Sequence, residues 1–95
     1  MFTPKAYPKF NRIKKKLPER LRFEVDQQIC VICENPGIGE AKTGDLQGVR
    51  VQKFTYLSQE YLIAYALDVE NREIWLLAFG GHENFYRDLK SYLRS

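Results

Sequence analysis

The residues best equipped for chemistry lie in Gly80-Gly81-His82-Glu83-Asn84-Phe85-Tyr86-Arg87-Asp88, the densest polar cluster of the chain. His82 is the single histidine, and an imidazole gives or takes a proton near neutral pH. Tyr86 follows one helical turn later, so both side chains can face one cleft, with Arg87 beside them as a candidate substrate contact. The paired glycines let the backbone turn sharply and come close to a ligand. A plainer role fits the same residues, with His82 capping a helix and Tyr86 filling core, and the local sequence leaves both open.

Lys53 and Arg50, within Val49-Arg50-Val51-Gln52-Lys53-Phe54-Thr55-Tyr56, are the other candidates. A cation on a strand among apolar neighbours can hold a phosphate oxygen or stabilise charge in a phosphoryl transition state. Strand alternation sends the two to opposite faces, so one groove takes both only across a bulge. Arg50 serves equally well as a surface charge.

Other chemistries are poorly provided for. Cys30 and Cys33 are the only cysteines, and with one histidine they fall short of a zinc ligand set. Their place near the end of a helical pattern predicts buried structural thiols and a reducing compartment. The glycine-rich stretch GIGEAKTGDLQG lacks the spacing of a phosphate-binding P-loop, and Ser58 has no base nearby. Metal-free acid-base chemistry or pure binding remains, with no cofactor expected.

These groups must be positioned by a small scaffold. Ninety-five residues, 44% hydrophobic and 14% aromatic, suffice for one domain over residues 1–95 and exclude a two-domain enzyme. The net charge of +3 hides a division: residues 1–22 hold eight basic residues against Glu19 alone, a local +7, while the remainder holds −4. That basic block, with Lys14, Lys15 and Lys16 at its centre, suits a phosphate-bearing or acidic partner, or is a solvated helix face. No apolar run approaches the length of a membrane span and the N-terminus lacks the apolar stretch of a signal peptide, so a soluble cytoplasmic protein is expected.

The pattern predicts an α+β architecture. Thr3-Pro4 is read as the start of a first helix carrying Ala6, Phe10, Ile13 and Leu17, and Pro18 starts a second with Leu21, Val25, Ile29 and Ile32 on one face. Together they form an N-terminal αα-hairpin. After a loop over 37–48, three strands follow as an antiparallel meander, at Val49 to Tyr56, Tyr61 to Leu67 and Glu73 to Phe79. A short helix with Phe85, Leu89 and Leu93 closes the chain. The hairpin packs on the sheet, to which a short N-terminal strand within Met1 to Thr3 can be added.

This order of elements, with the Asn35-Pro36 helix exit, Gly44-Asp45-Leu46-Gln47-Gly48-Val49-Arg50-Val51, Gln59-Glu60-Tyr61-Leu62-Ile63-Ala64-Tyr65 and Gly81-His82-Glu83-Asn84-Phe85-Tyr86, resembles the RelE/ParE superfamily of bacterial type II toxins. The resemblance implies a compact microbial RNase-like fold. In its RelE branch it implies metal-free cleavage of messenger RNA on the ribosome, and in its ParE branch inhibition of DNA gyrase. Carried across by position, Lys53 matches a sheet cation, His82 a position held by arginine or histidine, and Tyr86 the C-terminal aromatic. Val51 and Leu62 depart from the RelE branch, which carries further basic residues there.

Three functions follow. A ribosome-dependent endoribonuclease would use His82, Tyr86 and Lys53, with Arg50, Arg87 and Lys14 to Lys16 meeting RNA phosphates. A non-enzymatic toxin would dock the basic block on gyrase, and a binding module would have no toxicity. For a toxin, the resemblance implies an antitoxin that covers the sheet or the groove beside the last helix.

Overall fold

A computed structural model describes residues 1–94. Its elements are β1 (Thr3–Ala6), α1 (Pro8–Lys15), α2 (Glu19–Glu34), β2 (Glu40–Ala41), a 3-10 turn (Gly44–Leu46), β3 (Val49–Tyr56), β4 (Gln59–Asp68), β5 (Glu73–Gly81) and α3 (Phe85–Arg94).

The meander is present as the alternation predicts, but it is the centre of a larger sheet. The order is β1-β5-β4-β3-β2, with β1 parallel to β5 and all other pairs antiparallel. The expected three-strand sheet is therefore corrected to five mixed strands. Thr3 to Ala6, read as the first helical turn, instead joins the sheet edge, where Pro4 is tolerated. Pro8, not Pro4, occupies the first turn of α1. Within the 37–48 loop, Glu40 and Ala41 pair with Val51 and Arg50, and the bond from Lys42 N–H to Val49 C=O extends that ladder.

The two N-terminal helices follow one another across Pro18, but each packs mainly on the sheet, α1 along β5 and α2 against β3 and β1. The hairpin packs on the sheet as expected, but the apolar faces of the two helices meet strands more than each other, so it has little seam of its own. Phe10, Leu21, Val25, Ile29 and Ile32 meet Phe54, Ile63, Tyr65, Ile74, Leu76 and Phe79 in one core. Cys33 belongs to this core and burial raises its thiol pKa, whereas Cys30 is exposed, so only one of the two is a buried thiol.

A second, smaller core lies on the opposite face, where Phe85 and Leu89 of α3 cover Val49, Val51, Leu62, Ala64, Leu77 and Ala78. A register shift opposite Ala64/Tyr65 leaves Leu77 as an extra residue of β5. Leu77 and Ala78 thus both serve the α3 side while Leu76 and Phe79 serve the helix-pair side. The β3–β4 connection is tighter than the four residues expected: Leu57 and Ser58 alone turn the chain, both at positive φ, as a two-residue hairpin requires.

Candidate functional site

The end of the sheet where β5 runs into α3 brings polar groups together on the α3 side. Gly80 and Gly81 pair with Leu62 and Tyr61 as the last rungs of β5, and the chain then turns through His82 to Asn84, the latter at positive φ. Asn84 C=O accepts the Asp88 N–H as α3 begins. His82 leaves the sheet with its side chain 60% exposed, Nε2 lying 3.8 Å from the Glu60 carboxylate. Tyr86, half-buried, stands edge-on to the imidazole with ring centroids 6.4 Å apart and edge-on to Phe85 at 5.4 Å. The sequence pair His82/Tyr86 is thus brought together by the turn and one turn of helix.

Lys53 is exposed on β3, on the same face as Val51. It pairs with Leu62, which pairs in turn with Gly80, so Lys53 lies two strands, about 10 Å, from the β5 backbone at the base of the His82 turn. Between them Leu62 is fully buried, and Val51 is buried beside it. The two positions that depart from the RelE pattern are core residues of the α3 face.

Arg50 is placed elsewhere. Its guanidinium donates to Gly39 C=O at 2.7 Å and Gly37 C=O at 3.3 Å, pinning the chain that leaves α2, on the face turned away from Lys53. Arg87 is exposed on α3 with Asp88 as its neighbour at 3.5 Å. Lys14, Lys15 and Lys16 are on the helix pair. Lys14 is ion-paired to Asp26, while Lys15 and Lys16 are exposed.

Sequence reasoning missed three groups of the site. Lys42 Nζ sits 4.9 Å from the centre of the Tyr86 ring and pairs with Glu40. The hydrogen bond to Glu40 raises the Lys42 pKa against the opposing effect of burial, and the same contact lowers that of Glu40. Lys90, one turn beyond Tyr86, lines a groove together with Glu40, Lys42 and Tyr86. The signal was present in Glu40-Ala41-Lys42: read as a strand, alternate residues share a face. The glycines around it made the segment read as loop.

The arrangement can offer proton-transfer groups, His82 and Tyr86, with the Lys42 ammonium over the Tyr86 ring and the Glu60 carboxylate beside His82. Comparison with known structures bears on this fold. The free Escherichia coli toxin RelE with two arginines replaced by alanine superposes with a TM-score of 0.76 at 16% identity, covering 98% of this chain and 96% of that one. The Mycobacterium tuberculosis toxin-antitoxin complex RelBE2 gives 0.76 at 19% identity, covering 85% and 98%. The same E. coli RelE variant bound to an antitoxin RelB peptide gives 0.69 at 17%, covering 92% of each. The fold is RelE-like. No curated protein sequence matches the chain. Residues 5–90 match the model of the ParE-like toxins of type II bacterial toxin-antitoxin systems, and the chain belongs to that family.

Proposed function

We propose that residues 1–95 act as one toxin domain that cleaves messenger RNA on the ribosome without metal and is neutralised by a cognate antitoxin. The observation that carries the reading is the edge-on His82/Tyr86 pair at the open end of the sheet. In the proposed reaction the ribose 2′-oxygen forms a bond to the adjacent phosphorus as the bond to the 5′-oxygen breaks. His82 and Tyr86 provide the two positions that remove the 2′-proton and protonate the departing oxygen, and Lys53 and Lys42 face the charge on the phosphate. The ribosome supplies the orientation that so small a domain cannot. Exposed Lys15 and Lys16 suit ribosomal RNA phosphates better than Lys14, which Asp26 neutralises. The antitoxin reading is supported by the RelE-like structures solved as toxin-antitoxin complexes.

One observation favours a second reading. Val51 and Leu62 are buried and apolar, so the sheet offers fewer cations than the RelE pattern, as a non-enzymatic toxin acting on DNA gyrase would tolerate. Primer extension on programmed ribosomes separates the two. Discrete cuts lost in His82→Ala and Tyr86→Phe support the nuclease, and intact message with blocked gyrase supercoiling replaces it with the second reading.

A further inference from the structure

The strap of β2 and the 3-10 turn passes alongside α3 and leaves an open groove of about 390 Å³. Its lining includes Glu40, Lys42, Thr43, Leu46, Tyr86 and Lys90. Tyr86 and Lys90 are one helical turn apart and share the face of α3 turned to the strap. Lys42 meets them from the other wall, its side chain only 19% exposed, while its partner Glu40 is 68% exposed and free to swing into solvent. Lys90 is half-buried and has no carboxylate within ion-pair distance among the described residues. Farther along α3, Arg94 is engaged by Asp45 at 3.9 Å. An anion entering the groove therefore meets two ammonium groups, one of them not neutralised.

We propose that this groove is a second phosphate-binding subsite for a single-stranded RNA backbone, with Lys42 and Lys90 as its cations and Tyr86 as the wall it shares with His82; the proposal rests on the reading of the chain as an RNA-cleaving toxin. Lys42 lies over the Tyr86 ring, and the His82 imidazole lies nearly perpendicular to that ring, 6.4 Å away. Groups held at the two places are thus successive stations along one path. A polynucleotide brings anions at regular intervals along one chain, which matches a proton-transfer site and a cationic groove that share a single aromatic ring. The strap then fixes the strand next to the scissile bond and supplies positive charge that Val51 and Leu62 do not.

Binding is tested without cleavage. A short fluorescent RNA with every 2′-oxygen methylated cannot be cut by 2′-hydroxyl attack, so its affinity reports the groove whether or not the protein is a nuclease. By fluorescence anisotropy, Lys42→Ala and Lys90→Ala each weaken binding about fivefold to tenfold. Each also flattens the dependence of log affinity on log salt by about 0.7, the increment for one phosphate contact on a single strand. Glu40→Gln, which removes the competing carboxylate, tightens binding. The double Lys42→Arg/Lys90→Arg variant keeps both charges and retains affinity, and thermal unfolding checks that all variants fold alike. A Lys42→Ala/Lys90→Ala variant that binds with wild-type affinity and salt slope overturns the proposal. Loss confined to an oligo-glutamate peptide, with RNA affinity unchanged, also overturns it and assigns the groove to an acidic protein segment.

Discussion

Toward α1 and α2 the sheet presents Phe54, Ile63, Tyr65, Ile74, Leu76 and Phe79, large side chains covered by two helices. Toward α3 it presents Val49, Val51, Leu62, Ala64 and Ala78, and one ten-residue helix with two buried residues covers them. On the first face polar groups are consumed by structure: Arg50 and the Tyr65 hydroxyl both bind backbone of the 36–39 loop. On the second, polar groups gather beside α3, with His82 and Lys53 exposed and Lys42 over the Tyr86 ring. The difference is one of what each face can afford to leave unfilled. A short helix over small residues leaves the end of the sheet open, and His82, Tyr86, Lys42 and Lys53 collect there.

If the α3 face carries chemistry and the other carries stability, variants on the two should separate in kind. The largest expected effect is on cleavage. His82→Ala lowers the single-turnover rate on programmed ribosomes by on the order of 10²- to 10⁴-fold, the range of a general acid or base. Its unfolding free energy stays within about 0.5 kcal/mol of wild type, since the side chain is mostly exposed. A variant that lost activity only in proportion to lost stability would remove the distinction.

Next is Phe10→Ala on the helix-pair side. Phe10 is 1% exposed and the only fully buried residue of α1. Its truncation costs about 3–5 kcal/mol in urea unfolding, much of the roughly 5–15 kcal/mol available to a domain. Leu89, equally buried on α3, is a fair control. Should Leu89→Ala cost as much as Phe10→Ala, the two faces would bear stability equally.

The contrast between faces was partly legible in the sequence. Alternation in β3 correctly divides Phe54 and Tyr56 from Val49, Val51 and Lys53, and the continuous apolar runs of β4 and β5 mark strands covered on both sides. An N-terminal strand was legible only as a short addition within Met1 to Thr3, and its actual span, Thr3–Ala6, and its parallel pairing with β5 were not. Thr3-Pro4 carries a genuine helix-start pattern, and only pairing with Glu73 and Ile74, seventy residues away, makes it a strand. Non-local pairing overrides local preference in this way. At the site, His82 and Tyr86 are four residues apart and readable as a pair. Lys42 joins them only through tertiary packing of the strap on α3. Arg50 has the same residue type as a phosphate ligand, and its engagement with Gly37 and Gly39 depends on where the loop after α2 returns.

That loop gives the third prediction. A Cβ on Gly39 would lie 2.6 Å from the Tyr65 hydroxyl and 2.8 Å from its ring, and Tyr65 is wholly buried with no room to retreat. Gly39→Ala therefore overpacks the face and destabilises by about 1–3 kcal/mol, measured by urea unfolding.

The smallest effect, Tyr65→Phe, tests the same clamp through its chemistry. The hydroxyl donates to Pro36 C=O at 2.7 Å and accepts from Gly39 N–H at 2.9 Å. Removing it leaves the Gly39 N–H without its partner, at a cost of about 1–2 kcal/mol near neutral pH. Burial raises the Tyr65 pKa above its ordinary value of 10.0, with Gly39 and Arg50 opposing the shift. The unfolded chain gives up this proton at lower pH than the folded one, so the phenol's contribution is complete below about pH 10 and is lost as pH rises through the folded value. Wild type should thus lose stability between pH 8 and pH 11 faster than Tyr65→Phe, and the gap between them should narrow. Urea unfolding at both pH values reads this directly, and the other tyrosines, common to both proteins, cancel to first order. A gap of constant size would mean that the buried phenol does not hold its proton against solvent, and that the helix-pair face is less tightly closed than its packing requires.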